Sequence, residues 1–219
     1  MSTAVPDTAL VDDLRAKIGR MQGRPSVLSM ATHPALHGLL SLQPGGSYAV
    51  DSTSLAFLLM AGPSRDGAWS AIVGSDRVGL EAAAEVGVDL DRTVWVPDAG
   101  ADPASVLGAL VDAVGVVMVD RVALPEREVV RLRARLHKRQ GVLVAVGDWP
   151  RVDARLRLRD VAWTGPQAGH GHLIARQATV EVERGGRVSG SRRLWLPSRD
   201  LTIAPVERAM RAVPEREAG

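Results

Sequence analysis

The stretch GVVMVDRVALPEREVVRLRARLHKRQGVLVAV, running from Gly115 to Val146, decides the fold. It opens with a short, wholly apolar run that ends in Asp120 and closes with a second such run, Val142 to Val146. Between them, Val129, Leu132 and Leu136 recur at helical spacing from Pro125 to Gln140. Pro125 suits a first helical turn, Glu126 and Glu128 lie at its positive end, Lys138 and Arg139 lie at its negative end, and Gly141 is placed to close it. Strand, amphipathic helix and strand in this order form one unit of a parallel sheet.

The same alternation continues toward the N-terminus. Apolar runs at Ser47–Val50, Trp69–Gly74 and Thr93–Val96 precede helical stretches at Ser52–Ala61, Gly79–Val86 and Pro103–Ala113. Strands that are apolar throughout predict a sheet covered by helices on both faces. After Trp149 the period changes to two: Arg155, Arg157 and Arg159 alternate with Ala154, Leu156 and Leu158. Leu173–Glu183 and Arg187–Leu196 flank Arg184-Gly185-Gly186, a hairpin turn in which glycines supply positive φ. The expected fold is therefore α/β, a mostly parallel sheet flanked by helices and ending in antiparallel hairpin strands. Residues 1–25 read as an N-terminal arm, 26–205 as the core domain and 206–219 as a charged tail.

The 219 residues are 46% hydrophobic and 24% charged, enough for one full core. The longest apolar run, Leu55 to Gly62, is under half the roughly 20 residues of a membrane helix. Met1 to Asp13 carries acids where a secretion signal needs positive charge, which predicts a cytoplasmic protein, with association to the nucleoid left open. Absence of cysteine excludes disulfides, thiolate nucleophiles and Cys-based zinc sites. The net charge of +2 hides an asymmetry: residues 1–120 sum to −7 and residues 121–219 to +9. A basic half suggests an anionic partner, nucleic acid or an acidic protein surface, and charge alone does not choose between them. Arg131 and Arg135 on the helix after Pro125, which read first as a solvated helix face, together with Arg155, Arg157 and Arg159 on the period-two stretch, and Arg192 and Arg193, are the candidates for that contact. Near the start, Leu10, Leu14, Ile18 and Met21 form an apolar stripe, placed to pack on its own domain or dock on another chain.

Candidate metal sites are weak. His33 and His37 have Pro34 between them, His170 and His172 sit in a glycine-rich turn, and neither pair has acids to complete a ligand set, so no metal is expected. Val188-Ser189-Gly190 lies in a hairpin rather than a strand-to-helix elbow. The first strand-to-helix junction is more informative. A phosphate-binding loop needs glycines, a lysine and a hydroxyl. Here Val50 passes directly into Asp51-Ser52-Thr53-Ser54: hydroxyls are present, but the lysine and loop glycines are missing. Asp51 is expected to cap the helix and to repel a triphosphate.

Residues 38–200 resemble the RecA ATPase core. The likeness is carried in order by Gly46–Val50, Ser52–Ala56 at the start of a Walker A helix, Ala71–Val73, Val86–Asp91, Val116–Leu124 with Asp120 ending a Walker B strand, Val142–Val146 and the terminal hairpins. Within that superfamily the chain is most similar to the ImuA-like proteins of the short actinobacterial ImuA-prime type. Gly45-Gly46, Val50–Ala56, Gly141–Pro150, Gly171-His172-Leu173 and Arg176-Gln177 carry that similarity. The departures are a shortened Walker A loop without its lysine, Asp76 at the position of the catalytic glutamate, and curtailed DNA-binding loops.

The resemblance implies a degenerate nucleotide site at Asp51, Ser52, Thr53, Asp76 and Asp120, with no cofactor and no catalysis. It implies an accessory role in DNA-damage-induced mutagenesis, beside an ImuB-like inactive Y-family polymerase relative and in a system with an error-prone C-family polymerase and RecA. Contacts to DNA and self-association remain open. The alternatives are a SulA-like cell-division inhibitor, a residual ATPase holding Mg²⁺ through Asp120 and Asp76, and a plain DNA-binding module built on the arginines.

Overall fold

The computed structural model describes residues 30–165 and 173–206. The stripe of Leu10, Leu14, Ile18 and Met21, the pair His170 and His172, and the tail beyond Val206 lie outside the described residues. Strands β1 (Ser47–Val50), β2 (Ser70–Val73), β3 (Thr93–Val96), β4 (Val116–Asp120) and β5 (Val142–Val146) alternate with helices α1 (Thr53–Arg65), α2 (Leu80–Val86), α3 (Pro103–Ala113) and α4 (Glu126–Arg139). Strands β6 (Ala154–Thr164), β7 (Ala175–Arg184), β8 (Arg187–Trp195) and β9 (Ala204–Pro205) follow. All join one sheet in the order β3-β2-β4-β5-β1-β6-β7-β8-β9. From β3 to β6 every neighbouring pair is parallel, and from β6 to β9 every pair is antiparallel.

Two apolar layers sandwich the parallel half. On one face Leu55, Leu58 and Leu59 of α1 and Ala83 of α2 pack on Tyr48, Ile72, Met118 and Val144. On the other, Leu107 and Val111 of α3 and Val129, Leu132 and Leu136 of α4 pack on Ala49, Val73, Val117 and Leu143. Alternate residues of each buried strand thus serve opposite layers, and this two-sided demand is why the runs are apolar at every position. The first layer continues under the antiparallel half, where Leu156, Val180, Val182 and Leu194 meet Leu36, Leu40 and Leu42. The opposite face of that half carries Arg157, Arg159, Glu181 and Glu183.

Three details depart from expectation. The strand β3 is not covered on both faces: it is the sheet edge, and Val94 and Trp95 are exposed. Helix α1 runs past Ala61 to Arg65 with Pro63 inside it, in the last turn, where an interior proline ordinarily ends or kinks a helix. Helix α4 is closed by Gln140 in the left-handed conformation (φ 57°), not by Gly141, whose N–H returns to the Leu136 carbonyl at 3.2 Å. The turn at Gly185-Gly186 has positive φ at both residues, as the hairpin requires. Among the described residues no helix is long and apolar enough to cross a membrane.

Candidate functional site

The C-terminal ends of the parallel strands converge where the chain leaves β1 for α1. Strand register places Val50, Val146 and Asp120 in one row across the sheet. Asp120 is therefore two strand spacings, roughly 10 Å, from Val50. Ser52 caps α1, its hydroxyl accepting from the Ser54 N–H at 3.3 Å. The expectation that Asp51 caps the helix is not met. Its two carboxylate oxygens accept from the Leu158 N–H at 3.1 and 3.0 Å, tying β6 to the end of β1. Its own N–H donates to the Leu156 carbonyl at 3.3 Å.

Asp76, after β2, does not stand free for a metal. It is paired with the Arg121 guanidinium, and this bond holds its carboxyl below the usual range. Arg121 also lies 3.8 Å from Asp120. Residues 51–53, 76 and 120 thus share one end of the sheet, with the acid after β2 and the acid that ends β4 drawn together by an arginine. Among the described residues no group of three or more His, Cys, Asp or Glu is placed to hold a metal ion.

The candidate arginines are engaged within the chain. Arg131 pairs with Glu128 at 2.9 Å, Arg135 with Asp112 at 3.3 Å, Arg155 with Asp148 at 3.0 Å, Arg157 with Glu183 at 3.1 Å and Arg159 with Glu181 at 3.3 Å. Arg192 donates to the carbonyls of Ala35 and His37 at 3.1 and 2.7 Å, bracing β8 against the 3-10 turn Pro34–Leu36. Arg193 donates to the Gln177 side chain at 3.1 Å. The basic face is consequently a ladder of alternating charge, and its outward positive field is smaller than the residue count suggests.

A cleft of about 370 Å³ opens beside the start of α1. Thr53, Ser54 and Phe57 of α1, Ala82, Glu85 and Val86 of α2, Trp163 of β6 and Arg176 of β7 line it, with Leu196, Pro197, Leu201 and Ile203 completing the wall. Arg176 is its central polar group. Its Nε donates to the Leu196 carbonyl at 2.6 Å and its Nη2 to the Ser54 hydroxyl at 2.9 Å. Burial lowers its pKa from the ordinary arginine value, and the group keeps its charge.

Trp163 reaches Arg176 because of a β-bulge. Along β6, three steps from Arg159 to Ala162 match only two along β7, from Thr179 to Gln177. The extra residue reverses the alternation, so Trp163 turns to the face that bears Arg176. The guanidinium carbon sits 5.2 Å from the ring centroid. Asp160 opens the bulge with φ 48° and accepts from the Thr179 hydroxyl at 3.3 Å. Period-two reading missed both residues. The available signal was Asp160-Val161, an acid and an apolar residue that break the alternation.

The sequence model of the family described as the MT3502 N-terminal domain matches residues 35–151, from the 3-10 turn to just past β5. The uncharacterized protein Rv3395c of Mycobacterium tuberculosis is 37% identical over 129 residues, covering 56% of this chain and 62% of that protein. The chain thus spans less than two thirds of that relative's length. Trp163 and Arg176 lie beyond the matched family region.

Proposed function

We propose that this chain, which belongs to the MT3502 N-terminal domain family, is a non-catalytic RecA-like accessory protein of DNA-damage-induced mutagenesis, acting through protein contacts. The observation that carries the non-catalytic reading is the state of the β1–α1 junction. A hydrolytic site needs a cation on the terminal phosphate and a free carboxylate for Mg²⁺ or for the attacking water. The junction instead holds the Asp51 carboxylate against the Leu158 N–H and offers no lysine, while Asp76 is occupied by Arg121.

The RecA-like assignment rests on the sequence resemblance and is supported by the placing of β1 inside a mostly parallel sheet, with β4 ending in Asp120 across one intervening strand. A scaffold role is supported by apolar side chains left at the surface, Val94 and Trp95 on the β3 edge and Val161, Trp163 and Ile174 on the β6–β7 hairpin. Internal pairing of the arginines favours protein over DNA as the partner. By the resemblance, that partner is an ImuB-like polymerase relative, with the C-family polymerase and RecA in the same system.

Pull-down of the purified chain with an ImuB-like protein, alongside the tubulin-like division protein bound by SulA, tests the assignment. Capture of the first alone is expected, capture of the second alone replaces the reading with the SulA-like one, and capture of neither removes both. Calorimetry with ATP and Mg²⁺ is expected to show no micromolar binding; such binding would revive the ATPase.

A further inference from the structure

We propose that the cleft between α1, α2 and the β6–β7 hairpin binds a small organic acid: a compact apolar body with a single carboxylate, seated against Arg176, Ser54 and Trp163. This goes beyond the accessory role and does not depend on it.

The inner polar groups of the cleft are mainly donors. Arg176 uses Nε and Nη2 within the chain, and its Nη1 has no partner among the described residues. Ser54 accepts from Arg176 with its oxygen, which leaves its hydroxyl proton to donate. Thr53, one residue earlier, also lines the cleft. No carboxylate lies within ion-pair distance of Arg176 among the described residues, whereas Arg155, Arg157 and Arg159 on the neighbouring strand each have one. A half-buried guanidinium without a counter-anion is suited to a carboxylate, which its Nη1 can hold through a charge-assisted N–H bond.

The remaining lining sets the rest of the ligand. Phe57, Val86, Leu196, Pro197, Leu201 and Ile203 present an apolar wall, so the body of the ligand is apolar. Trp163 lies over the guanidinium, 5.2 Å from ring centroid to Cζ, and adds an aromatic face to the apolar wall. Glu85 lines the same cleft and opposes multiple negative charge; Arg77, before α2, also lines it. One carboxylate fits this arrangement better than a di- or triphosphate. The volume, about 370 Å³, matches one small molecule.

The test uses 4-phenylbutyrate as probe, its neutral amide as the charge control, and a short peptide ending in phenylalanine to separate a free acid from a polypeptide C-terminus. Binding is read by saturation-transfer NMR and by tryptophan fluorescence on the full chain. The acid is expected to bind in the millimolar range or tighter, with the amide and the peptide each at least tenfold weaker. Arg176→Gln is expected to weaken the acid at least tenfold. Because Arg176 also ties β7 to α1, Ala82→Trp serves as a second variant: it fills the cleft from the exposed face of α2 and is expected to abolish binding with an unchanged circular dichroism spectrum. Equal binding of acid and amide, undiminished binding by Ala82→Trp, binding of the peptide alone, or tighter binding of ATP than of the acid would each overturn the proposal.

Discussion

Trp163 lies over the guanidinium of Arg176, 5.2 Å from ring centroid to Cζ, although simple alternation from Arg159 would send the ring to the opposite face. One inserted residue between Arg159 and Ala162 makes that contact, and with it a cleft lined by five separate parts of the chain. Deleting Val161 should make the pairing regular and keep Trp163 opposite Arg176, because two steps along β6 then match two along β7. The measurable results are retained ring-current shifts on the Arg176 side-chain protons and an ordinary extended φ at Asp160, read from its backbone coupling. Loss of the shifts would mean that strand register does not aim the ring.

Trp163→Ala should cost about 1 kcal/mol, because the ring is half exposed and its cation–π contact is only partly shielded from water. Arg176→Met should cost more, about 2 kcal/mol, since it also strips the partners of Ser54 and the Leu196 carbonyl. Urea unfolding of the single and double variants checks both values, and coupling between the two sites should appear as non-additivity.

Asp51→Ala should destabilise by about 1 kcal/mol, as the Leu158 N–H loses an acceptor at a site that water can reach. Asp51→Asn keeps one oxygen and should cost less. Amide exchange at Leu158 distinguishes this latch from a helix cap: it should accelerate in Asp51→Ala, while Ser54 stays protected by Ser52.

His33 gives the fold a pH dependence of definite sign. His33 is 7% exposed, and its Nδ1 accepts from the Ala35 N–H at 3.2 Å. Burial first, then the charges of Arg65 and His37, lower its pKa from 6.5 to about 4. The unfolded chain therefore binds more protons between these values, so stability falls as pH drops from about 6.5 and continues to fall to about 4. The loss from this group is at most about 3 kcal/mol. His33→Asn, which retains an acceptor for Ala35, should flatten that slope in urea titrations at pH 7 and pH 5.

Gly62→Ala reverses an ordinary rule. In an open helix the change stabilises by about 1 kcal/mol. At this position in α1 an added Cβ collides with the Ala31 carbonyl and approaches Thr32 Cα, both backbone. A loss of about 2 kcal/mol is expected, read as a lower thermal midpoint. A raised midpoint would show that the 31–32 segment moves aside freely.

The parallel half of the fold was legible because its physics is local. A strand buried on both faces must be apolar at every position, and an amphipathic helix must repeat at 3.6 residues, so the succession from Ser47 to Val146 could be read directly. The edge position of β3 could not. Thr93–Val96 is as apolar as the central strands, and only the order of strands reveals that Val94 and Trp95 lack a cover. The cap of α1 was misassigned by one residue, because Asp51 and Ser52 are both good caps and the choice depends on Leu158, more than a hundred residues away.

The sequence alone determined the α/β alternation, the Gly185-Gly186 hairpin and the absence of a lysine at the β1–α1 junction, since each is written in neighbouring residues. Tertiary structure decided what the charged groups do. Arg121 holds Asp76, Glu181 and Glu183 answer Arg159 and Arg157, and Arg176 keeps no acid of its own among the described residues. The reason is physical: periodicity reports which face a side chain takes, but ion pairing and burial depend on the register between strands distant in sequence, and one extra residue in β6 reset that register.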